Sequence, residues 1–347
     1  MTQIKRAAVI GCGDISALHL AAISGQENVV LVAVCDIDPE RLASATDVLG
    51  VPGFSDHIRL LDEIRPDVVH VCTPHHTHAA IAVDALDRGV SVILEKPVAH
   101  TRVEATRLLE AASRSTAKIA VCFQNRYNAP AQAAFDLVSS GAVGKIAGAA
   151  ATVIWHRSAD YYLDRPWRGR WSTGGGGLLM NQAIHTLDLL QWLVGPVASV
   201  RGSASTRHLD EVIEVEDTAD MVLTHESGAR SVFYTTLAHV ANAPVSIEVV
   251  AENATLTLRG NLTVTWADGR VDTVEERALP AGERSYWGVS HELLIADFYA
   301  GLDTDSAFWI DAVEARKSFD IIQDVYDQSY PERAGWIEQN TERKALT

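Results

Sequence analysis

Two side chains in this sequence could carry a reaction, the lysine at position 96 and the histidine at position 185. Lys96 follows Glu95 at the end of SVIL, a run apolar enough to lie in the middle of a sheet. A central strand ends in charge only where the backbone leaves the sheet, which is where α/β proteins bind their ligands. A partly desolvated ammonium at that edge can hydrogen-bond a substrate oxygen and steady alkoxide character while hydride leaves the same carbon. The plainer alternative is a solvated Glu95 and Lys96 pair at a strand end.

His185 lies in STGGGGLLMNQAIHTLDLLQWLVG, residues 172 to 195. As one unbroken helix, this stretch puts Asn181, His185, Asp188 and Trp192 on one face, with Leu179, Ala183, Ile184, Leu187 and Leu190 as an apolar flank. Histidine titrates near neutrality and oxidation of an alcohol must dispose of a proton, so His185 suits a general base. The alternative is a histidine satisfied by Asp188 on an ordinary helix. The glycines at 174 to 177 do not form a P-loop, since no Lys-Ser or Lys-Thr follows them. They let the backbone pass close to a ligand or to a sheet.

Such residues need a scaffold to hold them. AAVIG, VVLVAVCD, DVVHVCTP, SVILEKP and KIAVCFQ alternate with PERLASATDVLG, THAAIAVDALDRG and RVEATRLLEAASRS. Continuous apolar strands separated by helical stretches predict a doubly wound parallel sheet over residues 1 to 123. Its strand ends carry Gly11, Asp36, Thr73 with Pro74, Glu95 with Lys96, and Gln124 with Asn125. GCGDIS at the first turn fits a dinucleotide site in which Gly11 makes the turn and Gly13 lets the backbone approach a pyrophosphate; Ser16 stands where a third glycine is usual. Asp36 is placed to accept from an adenosine ribose and to repel a 2′-phosphate, so NAD is expected rather than NADP. Its alternative role is to start the turn DIDPER and cap a helix from Pro39.

From residue 124 to 347 the pattern is that of an α+β domain, with strands ASVRGSAST, DTADMVLTH, ARSVFYTTLA, SIEVVAENATLTLRG and LTVTWADG and two closing helices, about 288 to 301 and 311 to 329. Period-two runs joined by short turns predict an antiparallel sheet with a solvated or partner-covered face. Residues 155 to 171, WHRSADYYLDRPWRGRW, gather three tryptophans, two tyrosines and four arginines. Stacking faces and guanidinium donors suit a carbohydrate, and they suit a subunit interface equally.

A chain of 347 residues exceeds what one core supports, so two domains are expected. The net charge of −16 argues against nucleic acid and anionic membrane as partners, and no apolar run approaches the ~18 residues of a membrane span. The opening MTQIKRAAVIG shows no signal-peptide core, and Cys12, Cys35, Cys72 and Cys122 lack metal-ligand spacing and read as small buried hydrophobes. The expected location is the cytoplasm. His75, His76 and His78 have no second ligand cluster, so no metal is expected.

GCGDISALH, CTPHHTH, LEKP, FQNRYN, PWRG, GGGG with NQAIHTLD, and the closing helices together resemble the oxidoreductases named after glucose-fructose oxidoreductase, inositol 2-dehydrogenase and MocA. The resemblance implies an N-terminal Rossmann domain and a C-terminal domain with a large, open, mostly antiparallel sheet that forms homodimer or homotetramer contacts. It also implies NAD-dependent hydride transfer to or from a carbinol or keto carbon of a sugar, polyol or sugar derivative. By that likeness Lys96 and His185 are the catalytic pair, and Gly11, Gly13, Asp14, Ile15, Asp36, Thr73, Pro74, His75, His78, Glu95, Lys96 and Asn125 face the cofactor. Asn181, Tyr162, Trp167 and Arg168 face the substrate. Many members carry aspartate four residues before the histidine; the Asn181 amide here can orient substrate but cannot relay a proton. A non-catalytic nucleotide sensor that binds a partner through its sheet is the alternative, and it would need neither Lys96 nor His185.

Overall fold

The computed structural model describes residues 4–277 and 290–333. The first part of the chain runs β1 (Lys5–Ile10), α1 (Ser16–Ser24), β2 (Val29–Cys35), α2 (Pro39–Leu49), β3 (Gly53–Phe54), α3 (His57–Ile64), β4 (Val68–Val71), α4 (His75–Leu86), β5 (Ser91–Leu94), α5 (Arg102–Arg114) and β6 (Ile119–Val121). It continues through α6 (Ala129–Ser139), β7 (Ile146–Ile154), the short turns α7 (Asp160–Leu163) and α8 (Trp171–Gly174), and α9 (Ile184–Val194). Strands β8 (Val197–Ser205), β9 (Thr218–His225), β10 (Arg230–Thr236), β11 (Ser246–Ala251), β12 (Ala254–Arg259), β13 (Asn261–Trp266) and β14 (Val271–Val274) follow, then α10 (His291–Ala300) and α11 (Ala312–Ser329).

The chain forms two compact units, Met1–Gln124 with Gly288–Arg316, and Asn125–Trp287 with Lys317–Thr347. This corrects the expected division at 123/124 in one respect: α10 returns to the first unit, where it packs on α1. The first unit holds a six-stranded parallel sheet in the order β3-β2-β1-β4-β5-β6. Strands β4, β5 and β6 are buried at every residue, as continuous apolar runs require of a sheet covered on both faces. β3, only two residues long, carries no sequence signal.

The second unit holds an eight-stranded sheet, β14-β13-β12-β11-β7-β10-β9-β8, antiparallel except where β7 meets β10. Burial alternates along β9 to β12. One face is covered by α9 on β7 and β11 and by α6 on β12 to β14. The opposite face exposes Val232, Tyr234 and Val250. The stretch SIEVVAENATLTLRG is a hairpin, β11 and β12, turning at Glu252 and Asn253, and β14 adds a strand that the sequence pattern missed. No described helix is long and apolar enough to cross a membrane.

Candidate active site

In the first unit the β1–α1 turn is built around Gly11, whose φ is +95° and where a Cβ would meet the Cys72 backbone at 2.7 Å. Only glycine fits there. At Gly13 nothing lies within 4 Å of a Cβ position, so the backbone borders open space. No side chain caps the N-terminus of α1 at Ile15, which keeps its partial positive charge available to a phosphate. Asp36 accepts from the Cys12 N–H at 2.7 Å and the Asp38 N–H at 2.8 Å, tying the end of β2 to the glycine turn. The helix-capping role falls to Asp38, which accepts from Glu40 and Arg41. Next to Asp36 the apolar side chain of Ile37 is 89% exposed, a feature sequence reasoning passed over. A cavity of about 490 Å³ opens beside the turn, lined by Cys12, Gly13, Ser16, Arg41 and Val48 among others.

Thr73 and Pro74 end β4 and begin α4, half-exposed, as do Asp14, exposed, and Ile15, half-buried, before α1. Lys96 follows β5 half-buried, and its peptide bond to Pro97 is cis. Three residues expected to face the cofactor are buried: His75, His78 and Glu95 are 3%, 1% and 6% exposed. The His78 ring lies between two backbone carbonyls, Pro97 at 2.8 Å from Nδ1 and Thr73 at 2.8 Å from Nε2, and in its neutral form it donates to one of them. Burial lowers its pKa against the opposing pull of those carbonyls.

Glu95 turns into the unit, where its Oε1 takes hydrogen bonds from His19 Nε2 and His291 Nε2, both at 3.1 Å. His19 Nδ1 meets His70 Nδ1 at 2.9 Å, and His70 Nε2 meets the Tyr299 hydroxyl at 2.9 Å. An ionised carboxylate only accepts, which fixes every proton in a neutral chain: Tyr299 donates to His70, His70 to His19, and His19 to Glu95. Burial lowers the pKa of both His19 and His70, in keeping with neutral rings. Burial pushes Glu95 up, and the two imidazole donors more than offset it, holding its carboxyl well below the usual range. Cys122 packs against the same group, its Sγ within 4.8 Å of the Glu95 and His19 ligand atoms.

In the second unit the segment expected as one helix begins with a π-helical turn, Leu179–Ala183, and only then becomes α9. The wider turn shifts Asn181 relative to His185, Asp188 and Trp192, which keep their spacing on α9. Asp188 holds a buried bidentate pair with Arg126, both contacts at 2.7 Å. Trp192 stacks on Phe135 with centroids 4.1 Å apart. Asn181 and His185 stay half-buried near the helix start.

That start is gripped by one residue. Gly177 N–H donates to Glu216 Oε2 and Leu179 N–H to Oε1, both at 2.8 Å, while Leu178 N–H donates to the Glu216 carbonyl at 3.1 Å. Tyr326 adds a hydroxyl donor to Oε1 at 2.8 Å. A Cβ on Gly177 would lie 2.0 Å from the Glu216 carbonyl oxygen, so this glycine is needed for close backbone packing beside the start of β9. Burial pushes the Glu216 pKa up to about 7 despite these donors.

The aromatic segment brings Tyr161, not the expected Tyr162, to the helix. Tyr162 is 2% exposed and packs edge-on against Tyr161 with centroids 5.0 Å apart, and burial drives its pKa upward. Tyr161 Oη accepts from Asn181 Nδ2 at 3.1 Å and Gln182 Nε2 at 3.0 Å. The Arg168 guanidinium lies 4.3 Å from its ring centroid and Arg157 5.3 Å. Adjacent tyrosines on a helical turn point about 100° apart, so the sequence could say that one faces the site but not which. Trp167 and Arg168 are half-buried in the turn Pro166–Gly169, and Asn125 lies in the turn Gln124–Tyr127.

Residues 5–123 match the oxidoreductase family with an NAD-binding Rossmann fold, and residues 131–257 match the GFO/IDH/MocA C-terminal domain. The chain belongs to the Gfo/Idh/MocA oxidoreductase family. It is 31% identical over 239 residues to D-apiose dehydrogenase of Paraburkholderia graminis, covering 67% of this chain and 60% of that protein. It is 31% identical over 174 residues to levoglucosan dehydrogenase of Pseudarthrobacter phenanthrenivorans, covering 50% of this chain and 45% of that protein. The matched stretches thus span about half the length of these two relatives. Among solved structures, the WlbA dehydrogenase of Bordetella pertussis in complex with NADH and UDP-GlcNAcA superposes with a TM-score of 0.81 at 30% identity, covering 93% of this chain and 96% of that one. Both halves of this Gfo/Idh/MocA protein therefore have relatives that handle nicotinamide cofactors.

Proposed function

We propose that this chain is an NAD-dependent dehydrogenase or reductase acting on a CH–OH or keto carbon of a sugar, polyol or sugar derivative. The observation that carries the reading is the Asp36 carboxylate bonded to the Cys12 N–H, which sets an acceptor for ribose hydroxyls beside an uncapped helix start and the open backbone at Gly13. Ile37 offers an apolar surface for an adenine ring. The residues fit the cofactor. When bound, NAD supplies the hydride acceptor or donor at its nicotinamide.

Lys96 steadies the charge that develops on the substrate oxygen, and His185 takes or returns the hydroxyl proton. The Nδ1 of His185 is enclosed, which supports Nε2 as the nitrogen that handles that proton. Asn181, Trp167 and Arg168 orient the sugar by hydrogen bonds and stacking. Three buried free cysteines support a reducing compartment, the cytoplasm. The exposed face of the eight-stranded sheet supports a homo-oligomer.

The test follows nicotinamide absorbance with a panel of sugars, polyols and nucleotide sugars for the wild type and Lys96→Ala. The expected result is turnover with at least one member, reduced at least about 100-fold in Lys96→Ala with NAD affinity within about twofold. Full turnover by the variant would remove Lys96 from the chemistry, and a wild type silent across the panel would favour the sensor.

A further inference from the structure

The hydroxyl of Tyr161 has its acceptor capacity spoken for. Two amide groups, Asn181 Nδ2 and Gln182 Nε2, donate to it at 3.1 and 3.0 Å. A phenol oxygen has two lone pairs and one proton, so two incoming N–H bonds leave the O–H as its remaining function. The ring cannot drift from this position. Its edge is set against buried Tyr162, and two guanidinium groups, Arg168 and Arg157, lie over it. Cations over the face of a phenol ring are attracted to it and help hold it in place. The same Asn181 precedes His185 by one turn, on the helix start that Glu216 fixes. Tyr161 therefore presents a rigid donor, half-exposed, beside the side chain assigned to substrate orientation.

We propose that Tyr161 is a substrate-binding residue that donates its phenol proton to one oxygen of the sugar or polyol. The proposal rests on the functional reading above. It makes Tyr161 a determinant of which hydroxyl pattern is accepted, because a donor held by two amides is lost to a substrate that lacks the matching oxygen.

The experiment compares wild type and Tyr161→Phe, each with saturating NAD, on the panel substrate that turns over fastest and on its monodeoxy analogues. Thermal shifts with the same sugars in the NAD complex give a readout independent of turnover. The expected result is a loss in kcat/KM of about 10-fold to 100-fold, with NAD affinity and Tm of the NAD complex unchanged. The loss vanishes for the single analogue lacking the oxygen that Tyr161 contacts. Equal kcat/KM in both proteins overturns the assignment, and so does a loss of the same size on every analogue, which would mean that Tyr161 acts only by holding Asn181 and Gln182. A wild type with neither turnover nor a sugar-dependent shift overturns the functional reading and this assignment together, whereas turnover without dependence on Tyr161 overturns the assignment alone.

Discussion

At the scale of single residues, Asp36 is a carboxylate that the fold anchors without exhausting its acceptors. It bonds the Cys12 and Asp38 N–H groups, so each oxygen is anchored, and each keeps a second lone pair, the one we propose for a ribose hydroxyl. The chain's net charge of −16 already opposes the extra phosphate of NADP, but that repulsion is long-range and salt screens it over about 8 Å at physiological ionic strength. The Asp36 charge acts at contact distance and is screened far less. We therefore expect NAD to raise Tm by several degrees at 100 times its Kd and NADP to raise it much less, with the difference surviving 0.5 M salt. Asp36→Asn should narrow that gap at every salt concentration; an unchanged gap would show that discrimination lies elsewhere. The places of Asp36 and Lys96 at strand ends were legible because a charge there is rare for a physical reason. The burial of Glu95 and Tyr162 was not, since nothing in spacing tells which way a side chain turns.

Elements carry the next level, and the start of α9 is the informative one. Three successive backbone N–H groups, from Gly177, Leu178 and Leu179, end on Glu216, so the helix that carries His185 is seated by a carboxylate near its N-terminus. With a pKa raised to about 7 in the folded chain, against about 4.3 unfolded, Glu216 binds its proton more tightly when folded. The stability from this group is present below about pH 4 and is lost as pH rises through about 7, on the order of 3 kcal/mol in all. Urea unfolding at pH 5.5 and pH 8 should show about half of that decline in wild type and little of it in Glu216→Gln. A parallel decline in both proteins would assign it to other groups. The parallel sheet was readable as apolar runs and the second sheet as alternation, because each follows from which faces are covered. The π-helical turn was not: its extra residue per turn leaves the apolar pattern intact while rotating Asn181 relative to His185, and the pairing of Asp188 with Arg126 is a long-range contact that spacing does not show. The β11–β12 turn at Glu252 and Asn253 holds no glycine, so two strands read as one.

For the whole molecule, chain order and spatial order part company after residue 287, and periodicity identified α10 as a helix without saying that it returns to the first unit with His291 and Tyr299. The eight-stranded sheet raises the remaining question of what meets its open face. Across its centre β7 places Gly148, Ala150 and Thr152 in register with Arg230, Val232 and Tyr234 of β10 and with Val250, Glu248 and Ser246 of β11. Small side chains along the middle strand let another flat surface approach closely, and Val232, Tyr234 and Val250, each 42% to 51% exposed, supply apolar area beside it. A second copy presenting the same face would bury on the order of 800 Å² per subunit if it forms a stable interface. Charge at the centre of such an interface is costly to desolvate. Sedimentation velocity at micromolar concentration should therefore show wild type as a dimer or tetramer, and Val232→Asp with Tyr234→Asp should weaken the association at least about 100-fold while the isolated chain keeps its circular dichroism. A wild type that sediments as a monomer at those concentrations, or a double variant that associates as before, would place the contact on another surface.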